Sequence, residues 1–157
     1  MIVDEVMSRD VSTISPDARF RDLLCRRLDG PSRQLYVTDE AGLLLGVVTD
    51  YDFLKQMVPS YLDANLAKAV TADDTVFRRR FDDSRNLTAG QVMTADCVAL
   101  RLGDTLLEAD AVFKERRHTA LPVLDQAGRL VGEITRRAII AYLVRLCDGE
   151  GRCQRSA

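Results

Sequence analysis

"LYVTDEAGLLLGVVTDYD" fills residues 35–52, and "LPVLDQAGRLVGEITRRA" fills residues 121–138. Laid over each other at an offset of 86 residues, with no gap, positions 35–49 and 121–135 agree at 8 of 15 places. Leu35 meets Leu121, Val37 meets Val123, Asp39 meets Asp125, and Ala41-Gly42 meets Ala127-Gly128. Leu44, Gly46 and Thr49 meet Leu130, Gly132 and Thr135. Self-similarity at a fixed spacing sets the architecture before any local reading does. In each phrase two apolar, β-forming runs flank an Ala-Gly turn, the mark of a hairpin. The phrases part three residues after the shared threonine, where the first has Asp52 and the second has Ala138.

Working outward at the same offset, Val6-Met7 meets Val92-Met93 and Asp10 meets Asp96. "VSTI" and "CVAL" read as short strands. A helix follows each. In the first copy Ser15 is placed as its cap and Pro16 at its first position, with Phe20, Leu23, Leu24 and Leu28 at helical spacing and Cys25 in the core. In the second copy Thr105 and Glu108 form a capping box ahead of "LLEADAVFKERR". After each hairpin comes an amphipathic helix, "DYDFLKQMV" and "RRAIIAYLVRL". Each half is therefore β-α-β-β-α. The expected fold class is mixed α+β / α/β: two pseudo-symmetric repeats, each too small to cover its sheet alone, packed sheet to sheet as one body. The divisions are repeat one at 1–58, a helical linker at 59–89, repeat two at 90–146 and a polar tail at 147–157. In the linker one helix is expected from about Tyr61 to Ala69. Another is expected in "TADDTVFRRRF", capped by Thr71 or Asp73, with Arg78, Arg79 and Arg80 on a solvated face beside Asp82 and Asp83.

Composition narrows the function classes. The 157 residues are 46% apolar, which suits a folded core, and carry a net charge of -2. That balance opposes nucleic-acid binding driven by phosphate attraction. No apolar run reaches the roughly 18–20 residues of a membrane span. "MIVDEVMSRD", acidic at its start, does not read as a secretory leader, and a cytoplasmic location is expected. The four cysteines, Cys25, Cys97, Cys147 and Cys153, form no C-x-x-C pair, and His118 is the only histidine. No metal site is expected from them, and free thiols are. No catalytic motif occurs: there is no G-x-S-x-G, H-E-x-x-H or Walker loop. The expected protein is not an enzyme and requires no cofactor.

The doubled phrase, "LYVTD-x-x-G-x-L-L-G-V-V-T-x-x-D" and "LPVLD-x-x-G-x-L-V-G-x-I-T", with a leading "VM" in each copy, resembles the tandem CBS (cystathionine β-synthase) domain, or Bateman module. The resemblance covers about residues 1–58 and 90–146. It implies a regulatory module that binds an adenosine-containing ligand of the AMP, ADP or ATP class in a cleft between repeats. It further implies a homodimer and an effector protein acted on in trans.

Thr49…Asp52 has two readings. One is a capping box, in which Asp52 reaches back to a backbone N–H. The other uses the same helix end as a nucleotide site, because unpaired N–H groups suit phosphate and a carboxylate one turn in suits ribose hydroxyls. The resemblance carries the ribose role to Asp52, with Thr49 beside it and Val47 near the base. It nominates Cys97, His118, Thr119 and Ala120 from the other copy, and Arg33 stands where it can reach a phosphate. In the second, degenerate site Thr135 and Ala138 replace Thr49 and Asp52. Arg136 and Arg137 remain there as candidates for attracting an anion. Tyr36 in place of the second copy's Pro122 departs from the family pattern and alters the base pocket. The alternative function is a structural homodimerisation module with degenerate ligand sites, acting on a partner protein.

Overall fold

The computed structural model describes residues 1–58, 74–116 and 118–149. The expected helix at 61–69, both proposed caps of the next helix, Arg117 and Cys153 lie outside them.

The chain divides into two compact units, residues 12–97 and residues 1–11 together with the chain from Val98 onward. The first unit holds β1 (Thr13–Ile14), α1 (Phe20–Asp29), β2 (Leu35–Thr38), β3 (Leu44–Val48), α2 (Asp50–Met57), α3 (Asp74–Ser84) and α4 (Ala89–Val92). The second holds a 3₁₀ turn (Val3–Glu5), β4 (Leu100–Arg101), α5 (Leu106–Arg116), β5 (Ala120–Leu124), β6 (Leu130–Thr135) and α6 (Arg136–Gly149). Each unit has a three-stranded sheet, β1-β2-β3 or β4-β5-β6, with one parallel and one antiparallel pair. The architecture is the mixed α/β one that the repeat implies.

The hairpins match residue for residue. Leu35 pairs Val48 and Val37 pairs Gly46; Leu121 pairs Ile134 and Val123 pairs Gly132. Both have a bulge at the same place, after Val37 and after Val123. Gly42 and Gly128 turn the chain at φ +82° each, a backbone state glycine reaches without steric cost. Pro122 sits in the middle strand, yet β4 pairs only with Val123 and Leu124. At Pro122 that side of the ladder is open, so the missing N–H costs nothing there. In the first unit the Tyr36 N–H does donate at this position, to the Ser12 carbonyl at 2.9 Å.

The units do not coincide with the sequence repeats. Val3, Val6 and Met7 pack in the core of the second copy, with Leu121, Val123, Ile134 and Phe113. Ala89, Val92 and Met93 pack in the core of the first, with Phe20, Leu35, Val37 and Phe53. The leading segment of each repeat thus completes the other repeat's fold. Backbone bonds lock the exchange. Ser8 and Glu133 trade two bonds of 2.8 Å; Val47 and Thr94 trade bonds of 3.0 and 2.8 Å.

This exchange also explains why α1 starts at Phe20 and not at Pro16. The carbonyls of Pro16 and Ala18 accept the N–H groups of Gly90 and Ala89, and the Phe20 N–H donates to Leu87. Residues 15–19 are held as a turn that receives α4, with Ser15 Oγ accepting only the Asp17 N–H. Two apolar readings in α1 are corrected: Leu28 is 84% exposed, and Cys25 is exposed as well. Phe20 and Leu23 are the fully buried residues of this helix, and Leu24 packs partly buried against the same core. The Thr105–Glu108 box forms as expected, with the Thr105 N–H donating to Glu108 at 2.7 Å. α3 occupies the basic stretch; Arg78 and Arg79 are exposed, and Arg80 donates to the Gln56 carbonyl at 3.1 Å.

Candidate functional site

The helix α2 begins where β3 ends, so its first turn stands at the edge of the first unit's sheet. Thr49 caps it. The Thr49 N–H and hydroxyl both donate to Asp52 Oδ2 at 2.8 Å, and the Asp52 N–H donates back to Thr49 Oγ1 at 3.4 Å. This is the reciprocal capping box, formed in full. The Asp52 side chain is nearly enclosed, at 3% exposure.

The second carboxylate oxygen is held differently. Asp52 Oδ1 receives one long bond, 3.4 Å, from the hydroxyl of the exposed Thr94. Thr94 belongs to the exchanged segment, and its backbone is fixed by the two bonds to Val47. Val47, Thr49, Asp52 and Thr94 therefore form one cluster: Oδ2 is saturated by the cap, while Oδ1 has spare acceptor capacity beside a hydroxyl. Thr94 was not among the residues read from the sequence. Its signal was available, since a hydroxyl residue follows the "VM" pair in both copies, Ser8 in one and Thr94 in the other.

The remaining candidates are distributed as follows. Arg33 is exposed, in the bend before β2. Cys97 lies at the end of the unit that holds Asp52, half-buried. Burial pushes its thiol above the ordinary value, against a lowering backbone hydrogen bond. The shift is away from the thiolate form in which a cysteine acts as a nucleophile. His118, half-buried, the exposed Thr119 and the buried Ala120 lie in the second unit, at the start of β5.

At the equivalent end of α6 the Ala138 N–H donates to Thr135 Oγ1 at 3.1 Å, and no carboxylate returns the bond. The Ala138 methyl joins the second core instead. Arg136 is turned away from the helix end, donating to the Phe113 carbonyl at 3.0 Å with its guanidinium over the Phe113 ring at 5.7 Å. The anion role read for Arg136 is thus opposed by this commitment; Arg137 stays exposed. On the two hairpins, side chains at and beside the equivalent positions also differ. Val47 in the first unit corresponds to the buried Glu133 in the second, and Gln34 donates to the buried Tyr36 hydroxyl at 3.1 Å.

The family model for the CBS domain matches residues 3–59 and 89–145, and the chain belongs to that family. It is 26% identical over 149 residues to a CBS domain-containing protein of Dictyostelium discoideum, covering 94% of both chains. An uncharacterised protein of Methanocaldococcus jannaschii is 25% identical over 141 residues; the match takes in 90% of this chain but only 46% of that protein. Among solved structures, the CBS-pair protein CBSX2 of Arabidopsis thaliana superposes with a TM-score of 0.75 at 21% identity, covering 94% of this chain and 96% of that one. CBSX2 has also been solved in complex with AMP (TM-score 0.71, 22% identity, 92% and 97% covered). The CBS domain pair of MJ0100, solved with 5'-methylthioadenosine and S-adenosyl-L-methionine, gives 0.67 at 17% identity, covering 91% and 99%. No helix among the described residues is long and apolar enough to cross a membrane.

Proposed function

We propose that the chain is a non-catalytic regulatory module that binds an adenosine-containing ligand at the Asp52 cluster. The observation that carries this reading is the asymmetry of the Asp52 carboxylate. Oδ2 is spent on Thr49, while Oδ1 holds only the long bond from Thr94. A ribose hydroxyl donating to Oδ1 gains a charge-assisted bond without breaking the cap. The complexes of CBSX2 with AMP and of MJ0100 with two adenosine compounds support the ligand class. His118, Thr119, Ala120 and Arg33 are proposed to complete the site, and the Ala138 end to bind poorly. Ligand binding then acts by favouring one of two states of the module, read by an effector protein in trans.

The module is further proposed to act as a homodimer in the cytoplasm. Tyr51 and Leu54 on α2, and Ile140, Leu143 and Leu146 on α6, leave apolar surface outside, with Leu54 and Ile140 each 60% exposed. Exposed apolar helix surface of this kind is what an interface covers. Native mass spectrometry of the purified protein reads the oligomer and any carried nucleotide together. A monomer at tens of micromolar removes the dimer from the reading.

A second reading has its own observation. With Asp52 only 3% exposed and already in a complete capping box, the phrase has a full structural purpose without ligand. On that reading the chain is a structural homodimerisation module with degenerate sites. Titration calorimetry with adenosine, AMP and ATP separates the two: saturable heat supports the sensor, and its absence for all three supports the structural module.

A further inference from the structure

Arg27 and Asp50 stand 86 residues before Phe113 and Arg136, and both pairs touch. In the first unit the Arg27 guanidinium grips Asp50 through two bonds, Nε to Oδ1 at 2.7 Å and Nη2 to Oδ2 at 3.0 Å. In the second, Arg136 Nη2 donates to the Phe113 carbonyl and its guanidinium covers the Phe113 ring. Each unit therefore ties the first residue of its second helix to its first helix at the same place. Only the chemistry differs: an ion pair in one, a cation over an aromatic ring in the other.

The difference follows the charge of the helix end. Both acidic residues in the first turn of α2 lie within three positions, Asp50 and Asp52. The first turn of α6 has none. The Asp52 carboxylate is turned inward into the cap, but the Asp50 side chain is 66% exposed and stands at the mouth of α2. A helix N-terminus favours an anion, and an uncompensated carboxylate there undoes that preference. At roughly 8 Å in largely aqueous surroundings, one like-charge contact lowers affinity about threefold.

We propose that Arg27 is a specificity-determining residue: by neutralising Asp50 it lets the N-terminus of α2 accept an adenosine ligand that carries phosphate. The proposal rests on the adenosine reading of the Asp52 site. Arg27 acts through Asp50 and need not touch the ligand. The second unit needs no such partner, and its equivalent position is the apolar Phe113.

The test is calorimetry of the full chain, Arg27→Ala and Arg27→Ala/Asp50→Asn with adenosine, AMP and ATP. Arg27→Ala is expected to leave adenosine affinity within about twofold while weakening AMP about threefold and ATP further, each phosphate charge adding to the effect. The loss should shrink in about 0.5 M salt, where exposed charges are screened. The double variant is expected to recover AMP and ATP, because the offending carboxylate is gone. If Arg27→Ala weakens adenosine as much as ATP, or the double variant fails to recover, Arg27 is only a tie between helices and the proposal is overturned. If none of the three ligands binds the unaltered chain, the Asp52 reading itself fails and takes this proposal with it.

Discussion

Met93 Sδ lies 2.7 Å from the point where a Cβ on Gly46 would stand, and Met7 Sδ lies 3.0 Å from the same point on Gly132. Backbone is closer still at one of them: the Thr94 carbonyl is 2.8 Å from that point on Gly46, and the Ser8 carbonyl 2.6 Å from it on Gly132. These glycines are where the exchanged segments cross the hairpins, and the two-way backbone bridges depend on that approach.

Gly46→Ala and Gly132→Ala should therefore each lose stability by about 1–3 kcal/mol, the usual cost of forcing a methyl into packed surroundings. The methionine can move, but the carbonyl cannot move without breaking its bridge. Urea denaturation checks the loss. A change below about 0.5 kcal/mol would mean that the segments are not held as described.

Asp52→Ala removes two accepting bonds from Thr49 and leaves the Thr49 N–H without its partner. Stability should fall by about 1–2 kcal/mol, the upper range for a lost cap. If the carboxylate also receives ribose, affinity for AMP should fall by a further ~1.5–3 kcal/mol, as for a bond to a charged group. Thr94→Val separates the two roles, because it touches Oδ1 only. It should cost little stability, at most about 1 kcal/mol, yet change AMP affinity. Stability that falls in Asp52→Ala with unchanged AMP affinity would leave the structural module as the function.

The hairpin phrases were legible because their apolar runs, turn glycines and capping threonines are local signals, repeated at one spacing. So was the Thr105–Glu108 box, which needs only i and i+3. The exchange of leading segments was not legible. Val6-Met7 aligns with Val92-Met93 as the start of its own repeat, and an apolar pair carries no label saying which copy's core it enters. Leu28 and Cys25 misled for a related reason: helical spacing puts them on a plausible stripe, but α1 is short and buries only Phe20 and Leu23 fully. Arg27 was passed over because its partner Asp50 is 23 residues away, beyond any local pattern. At the Asp52 site the sequence offered cap and ligand with the same residues. The structure realises the cap, and it adds Thr94, which only the exchange brings there.

Acid should weaken the fold through Glu108 and Asp125. The Thr105 N–H and hydroxyl hold the Glu108 carboxyl below its ordinary value. The Arg129 N–H does the same for Asp125, helped by the Arg129 side chain and the Ala127 N–H. A depressed folded-state value gives stability that is complete above the unfolded value, near pH 4, and is lost as pH falls through the folded one. Glu108→Gln and Asp125→Asn should therefore flatten the decline of stability below about pH 4. Chemical denaturation across that range checks it; slopes equal to those of the unaltered chain would contradict the assignment.

Ala138→Asp reverses the one difference between the two phrases that the carboxylate chemistry turns on. The Ala138 N–H already donates to Thr135 Oγ1, so an aspartate there stands where it can complete the box by accepting from Thr135. The gain should be up to about 1 kcal/mol, reduced by whatever is lost when the methyl leaves its place against the second core. Improved capping is expected whether or not the module binds nucleotide. The number of ligands bound is the discriminating quantity. If α2 binds ribose through Asp52, the same carboxylate at the head of α6 should raise AMP from one to two per chain. Arg136 does not block this, because its guanidinium is held on Phe113. Glu133, buried where the first unit has Val47, changes the base side of the restored site, and the second AMP should bind more weakly than the first. Native mass spectrometry at increasing AMP counts them. A variant that gains the cap, as read by stability, and still binds one AMP per chain would show that Asp52 alone does not define the site and that its neighbours Val47 and Thr94 are required with it.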